Sequence, residues 1–138
     1  MSRVRTYVVA AVVMLVLDLI WLGLISPPLY QAAIGPLLRP HPDLAAAALF
    51  YAVYRVGVNE LVIHSLPPGT RLSRVAARGA LFGFVAYSTF DLTALAMLAG
   101  WSRLVTVVDL AWGTLLTAIV TTVAYATRGR PHGRKTPQ

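Results

Sequence analysis

The chain has 138 residues, 57% of them hydrophobic and only 12% charged. Soluble domains carry about 45–50% apolar and about 25% charged residues. This composition excludes a disordered chain, disfavours a soluble core and indicates one membrane-embedded domain. The net charge of +7 comes from 12 Lys and Arg against 5 Asp and Glu. These basic residues flank apolar segments, as membrane topology requires, so no nucleic-acid partner is expected. No cysteine is present, which removes disulfides, thiolate metal sites, Fe–S clusters and cysteine nucleophiles.

A transmembrane helix needs about 20 mostly apolar residues. A short N-terminal segment, residues 1–6, carries Arg3 and Arg5. The first predicted span covers residues 7–25. Its apolar stretch exceeds the ~7–15 residues of a signal peptide's apolar region, and Ser26-Pro27-Pro28 makes a poor cleavage site, so it reads as a retained helix. Residues 26–43 form the only long loop, whose Tyr30 and proline-rich edges place it on the outer surface. The second predicted span covers 44–66, the third 75–98 and the fourth 105–126. Pro40-His41-Pro42, Pro67-Pro68-Gly69 and Gly100 separate them. On the third span, Gly79 and Gly83 form a small-xxx-small pair suited to close helix packing. Residues 127–138 form a basic tail with the composition of a disordered segment.

Arg3, Arg5, Arg71, Arg74, Arg78, Arg128, Arg130, Arg134 and Lys135 fall on one side of the four spans. Arg39 and Arg103 fall on the other, and Arg55 lies within the second span. The positive-inside rule then puts both termini and the 67–74 loop in the cytoplasm. The expected fold is an all-α, integral-membrane four-helix bundle, multi-pass in a bacterial inner membrane.

Ionisable residues inside the spans are the informative ones. Asp18, Arg55, Glu60, Asp91 and Asp109 each cost ~2.5–3.5 kcal/mol at a helix centre. Ten Leu, Ile, Val or Phe residues give the second span roughly 3–6 kcal/mol in return. That is marginal against Arg55, Asn59, Glu60 and His64, so this span should be held by partners on other helices, with Arg55 the expected anchor. At ~1.5 Å per residue, Asp18, Tyr51, Asp91 and Trp112 all lie ~10 Å from the outer end. Trp21 and Asp109 lie ~6 Å down, Arg55 and Tyr87 ~16 Å, and Glu60 ~24 Å. The expected site is thus an outer-half polar cluster of Asp18, Asp91, Asp109 and Arg55 with Tyr51, Tyr54, Tyr87, Trp21 and Trp112. Glu60 stands apart.

Asp18-Leu19-Ile20-Trp21 is echoed by Asp109-Leu110-Ala111-Trp112. The i,i+3 spacing places Asp and Trp on one helix face. The two helices run in opposite directions, so each indole N–H can serve the other helix's carboxylate. A purely structural reading competes with this one, because a single intramembrane Asp is more often a packing partner than a catalyst. Trp101 reads as an interface anchor. His41, His64 and His132 lie at unrelated depths, so neither a metal nor a cofactor is assigned. No phosphate loop or nucleophile elbow is present.

The chain resembles the family of small bacterial membrane proteins called domain of unknown function 2177, over about residues 7–126. Asp18-Leu19-Ile20-Trp21-Leu22-Gly23, Tyr51-x-x-Tyr54-x-x-Gly57, Gly79-Ala80-Leu81-Phe82-Gly83 with Ala86-Tyr87, Thr89-Phe90-Asp91-Leu92-Thr93 and Asp109-Leu110-Ala111-Trp112-Gly113 carry the resemblance. The chain departs from the family pattern at Phe90, where Tyr is preferred, at Ala94, where Asn is, and at Glu60, where an aromatic or aliphatic residue is expected. The resemblance implies a four-helix inner-membrane protein with no established activity. Relatives' genes often neighbour those for fatty-acid cyclopropanation, which implies a link to acyl-chain modification.

Three function classes follow. A lipid-modifying enzyme or accessory factor would use Asp91 as acid or base with Arg55 orienting it. Its partners would be membrane lipids and lipid-modifying enzymes, and it should show a cavity open to lipid or outward. A proton-coupled transporter would need a homodimer and a polar path to both faces. A structural or assembly subunit should show fully paired carboxylates and no cavity.

Overall fold

The computed structural model describes residues 2–128. Among them every regular element is helical. In chain order these are α1 (Ser2–Ile20), α2 (Pro27–Ile34), α3 (Leu44–Gly57), α4 (Leu72–Met97) and α5 (Arg103–Ala126). Long apolar segments leave the backbone N–H and C=O groups no partner but their own helix, which forces this outcome in lipid. The four segments long and apolar enough to span a membrane are Arg3–Ile25, Leu44–Ile63, Leu72–Met97 and Arg103–Ala126. The predicted tail, from residue 129 onward, lies outside the described residues.

Caps fix where the helices begin. The Asp43 side chain accepts from the Ala46 N–H at 3.1 Å, and that of Ser102 from the Val105 N–H at 3.2 Å. Each satisfies a donor that the first turn leaves free. The expected outer loop is partly helical: α2 spans Pro27–Ile34, and a 3₁₀ turn follows at Gly35–Leu37. Pro27 and Pro28 act as starters because the first turn needs no N–H donor and their φ is already helical.

Two spans change pitch. α1 continues as a π-helical segment, Trp21–Ile25, and α3 as another, Val58–Ile63. The Ser26 N–H donates to the Trp21 carbonyl and the His64 N–H to the Asn59 carbonyl, both at 2.8 Å. Each bond spans five residues, one more than an α-turn, a pattern frequent at functional sites.

α5 is the centre of the bundle. It packs along α4, against α1, and against the Val58–Ile63 segment. Met14, Ile63, Val75, Leu116 and Val120 form the core between them. Tyr54 is the only buried residue of α3, so this helix joins the bundle mainly through its lower end. Leu19, Leu49, Val53 and Val107 remain more than 60% exposed, as suits a surface facing lipid.

Gly79 and Gly83 allow α4 and α5 to approach. A Cβ at Gly79 would lie 2.9 Å from the Thr117 carbonyl oxygen, and one at Gly83 2.7 Å from the Thr117 Cβ. The Thr117 and Thr121 hydroxyls are turned onto their own helix, donating to the Gly113 and Thr117 carbonyls at 2.7 Å. Gly83→Ala should therefore destabilise the bundle by about 1–3 kcal/mol through overpacking. Gly23→Ala, with nothing within 4 Å of the added Cβ, should not. Reversible unfolding in mixed detergent micelles measures both.

Candidate functional site

The π-helical turn after α1 brings Trp21 onto Trp112 of α5. The rings stack with centroids 4.6 Å apart and planes 8° from parallel. One turn below, the Asp18 carboxylate accepts from the Tyr51 hydroxyl at 2.6 Å, with the Trp112 indole nearby. Three helices thus meet at Asp18. Tyr54 shares a hydrogen bond with Thr117 and stands edge-on to Tyr87, 6.4 Å away. Tyr87 in turn lies against Gly113, whose missing side chain makes room for the ring.

The other carboxylates are held differently. Asp109 accepts from the Tyr30 hydroxyl, so α2 closes over the outer end of α5. The expected reciprocity of the two Asp–Trp pairs is not what the hydrogen bonds show: the two indoles stack on each other, and the donors to Asp18 and Asp109 are the Tyr51 and Tyr30 hydroxyls. Asp91 is fully buried, and neither carboxylate oxygen has a hydrogen-bond partner among the described residues. The Trp101 indole beside it donates instead to the Thr106 hydroxyl at 3.1 Å. An unpaired buried carboxyl is a costly arrangement and calls for an explanation.

Arg55 does not join the aspartates. Its Nε donates to the Tyr51 carbonyl on its own helix at 3.3 Å, and it pairs with no carboxylate among the described residues. The reason is geometric: Tyr51, one turn earlier, already occupies Asp18, and at the level of Arg55 it is Tyr54 that faces the bundle and bonds to Thr117. The second span is held instead by Tyr51, Tyr54, Glu60 and His64.

Those last two belong to a second polar cluster that the sequence reading missed. Arg3 donates to both Glu60 oxygens at 2.5 and 2.6 Å, and Tyr7 donates to Glu60 at 2.9 Å. Thr6 and His64 Nε2 are hydrogen-bonded at 2.8 Å. Arg128 donates to the Ile63 and Leu66 carbonyls at 3.1 and 2.8 Å, which ties down a residue expected to belong to the disordered tail. Helical rise counted from the Arg3 end brings Arg3 and Tyr7 level with Glu60.

A family model described as a predicted membrane protein, DUF2177, matches residues 3–126. The chain belongs to the DUF2177 family. Comparison with curated proteins gives no match, and neither does comparison with solved structures. The DUF2177 match takes in all four spans, the outer carboxylates and Glu60 with its partners.

Two outcomes test these contacts. Tyr51→Phe removes a donor from a buried carboxylate and should cost about 1.5–3 kcal/mol. Tyr54→Phe should cost about 1 kcal/mol, because Thr117 keeps its bond to Gly113. Mixed-micelle unfolding of the two variants gives the difference. Burial, followed by the neighbouring Arg3 and Arg128 charges, holds the His64 pKa below the ordinary histidine value, with Glu60 opposing. The neutral ring is thus favoured in the folded state. Its contribution is present above the unfolded pKa and is lost as pH falls through the folded one. Melting in detergent should drop between pH 7 and pH 5 for the wild type, and less for His64→Gln.

Proposed function

We propose that this DUF2177 protein binds the acyl chain of a membrane lipid and acts in acyl-chain modification, as the enzyme or as its accessory factor. One observation carries the reading. A groove of about 400 Å³ opens sideways between α4 and α5, lined by Ala80, Phe84, Leu110, Ala111, Thr114 and Ala118. It is almost wholly apolar, and its size lies in the range of small-molecule sites. Its lining begins one residue from Asp109, next to the polar cluster. On α4, Asp91 follows Phe84 by seven residues, close to two turns, on the same side of the helix. A lipid chain in the groove would thus extend toward the outer carboxylates. Asp91, unpaired and buried, is the acid–base candidate, with Asp18 and Asp109 shaping its surroundings.

In this reading the termini and the 67–74 loop face the cytoplasm of a bacterial inner membrane, as the arginine distribution favours. A structural-subunit reading has its own support, since Asp18 and Asp109 are both tied to tyrosines.

Lipid mass spectrometry of whole cells separates the two. A strain lacking the gene is complemented with wild type, Asp91→Asn, Ala111→Phe or Arg55→Met, with expression and folding checked. The lipid reading expects an altered acyl-chain profile that wild type and Arg55→Met restore and the other two do not. An unchanged profile in every strain retires it. Restoration by all the folded variants moves the function away from Asp91 and the groove.

A further inference from the structure

The chain has a second concavity, on its basic end, of opposite character. Ser65, Thr70, Arg71, Ser73, Arg74 and Arg78 line a groove of about 790 Å³ whose surface is mostly polar. Arg71, Arg74 and Arg78 recur at i, i+3 and i+7, which sets them on one face of the start of α4. All three are exposed, and none makes a side-chain hydrogen bond or ion pair among the described residues. The contrast with neighbouring arginines is instructive. Arg3 is committed to Glu60, Arg5 to the Thr127 carbonyl, and Arg128 to the Ile63 and Leu66 carbonyls. Asp18, Asp43, Glu60, Asp91 and Asp109 are the only acidic side chains in the sequence, so residues 129–138 bring no acidic side chain to the groove.

The loop beneath these arginines is built to a fixed shape. The Tyr125 hydroxyl donates to the Pro67 carbonyl at 2.6 Å and accepts from the Thr70 N–H at 3.0 Å. The Thr70 hydroxyl donates to the Pro67 carbonyl at 2.6 Å. Gly69 turns the chain with φ +81°, a conformation other residues rarely adopt. A rigid loop presents its charges at little entropic cost on binding. From Arg71 to Arg78 the rise along the helix is about 10 Å, of the same order as the headgroup layer on one side of a bilayer. The start of a bilayer-crossing α4 passes through that layer, where lipid phosphates lie.

We propose that this groove is a binding site for the phosphate of an anionic phospholipid headgroup, in the leaflet on the side of the chain termini. Arginine forks match phosphate oxygens in paired hydrogen bonds, and the Ser73 and Thr70 side chains add hydroxyls at the rim. This site lies at the other end of α4 from the outer carboxylates and stands whether or not the apolar groove holds an acyl chain.

The test uses the full chain in phosphatidylcholine nanodiscs, titrated with phosphatidylglycerol and read by native mass spectrometry of the retained lipid. Arg71→Gln/Arg74→Gln/Arg78→Gln is compared with wild type and with Arg39→Gln/Arg103→Gln at the opposite end. Melting and the accessibility of a cysteine introduced in the tail confirm folding and orientation. At about fivefold per arginine, phosphatidylglycerol retention should weaken about 100-fold in the triple variant and hardly at all in the double. Lysine at the same three positions should restore part of it. Equal retention in the triple variant and wild type overturns the proposal, and so does an equal loss in the double variant, which would reflect net charge alone. Displacement of the lipid by low concentrations of soluble glycerol phosphate also overturns it, since the site would then serve a free phosphate.

Discussion

The close contact of α4 with α5 is the constraint on which the rest of the bundle depends. In lipid, helices gain little from hiding apolar side chains from one another, so association rests on close packing and a few polar bonds. Gly79 and Gly83 on one side, and Gly113 on the other, bring two backbones near enough for threonines to fill the seam. α5 is then fixed as the central element, and α1 packs on its other flank. The Trp21–Trp112 stack, the Asp18 contacts and the seat of Tyr87 all follow from that position.

The glycine seam and the level of each carboxylate were legible in the sequence, because helical rise converts residue number into depth with little error. Asp18, Tyr51 and Trp112 were placed together by that arithmetic and do meet. What depth cannot give is azimuth. Arg55 sits within reach of the aspartates by height, yet at that level Tyr54 is the side chain that faces the bundle, and the guanidinium turns back on its own helix. Tyr30 was read as part of a surface loop because of its proline-rich surroundings, whereas the prolines begin a helix that carries its hydroxyl to Asp109. Glu60 could have been matched with Arg3 and Tyr7, had both ends of the bundle been surveyed alike.

The two ends differ in how they manage charge. At one end Asp18, Asp91 and Asp109 are drawn into the bundle, and Asp18 and Asp109 are supplied with phenolic donors. At the terminal end the cations stay at the surface, some spent on backbone carbonyls and one on Glu60, leaving three arginines together over a rigid loop. A membrane-spanning chain with few charged residues thus gathers carboxyls within the bundle and exposed arginines at its rim. Its lipid-facing side carries the apolar groove between them.

The π-helical segment at Val58–Ile63 has a consequence for how the second span is to be pictured. On an uninterrupted α-helix, Glu60 would stand about 120° around the axis from Tyr54. The extra residue in the turn shifts the phase of everything that follows. The span behaves as two short helices sharing an axis but not an azimuth, the upper one addressing Asp18 and Thr117 and the lower one addressing α1's first turns. A helical wheel drawn across the whole span averages two surfaces that never coincide, which is why its polar residues look scattered in sequence while each meets a specific partner in space.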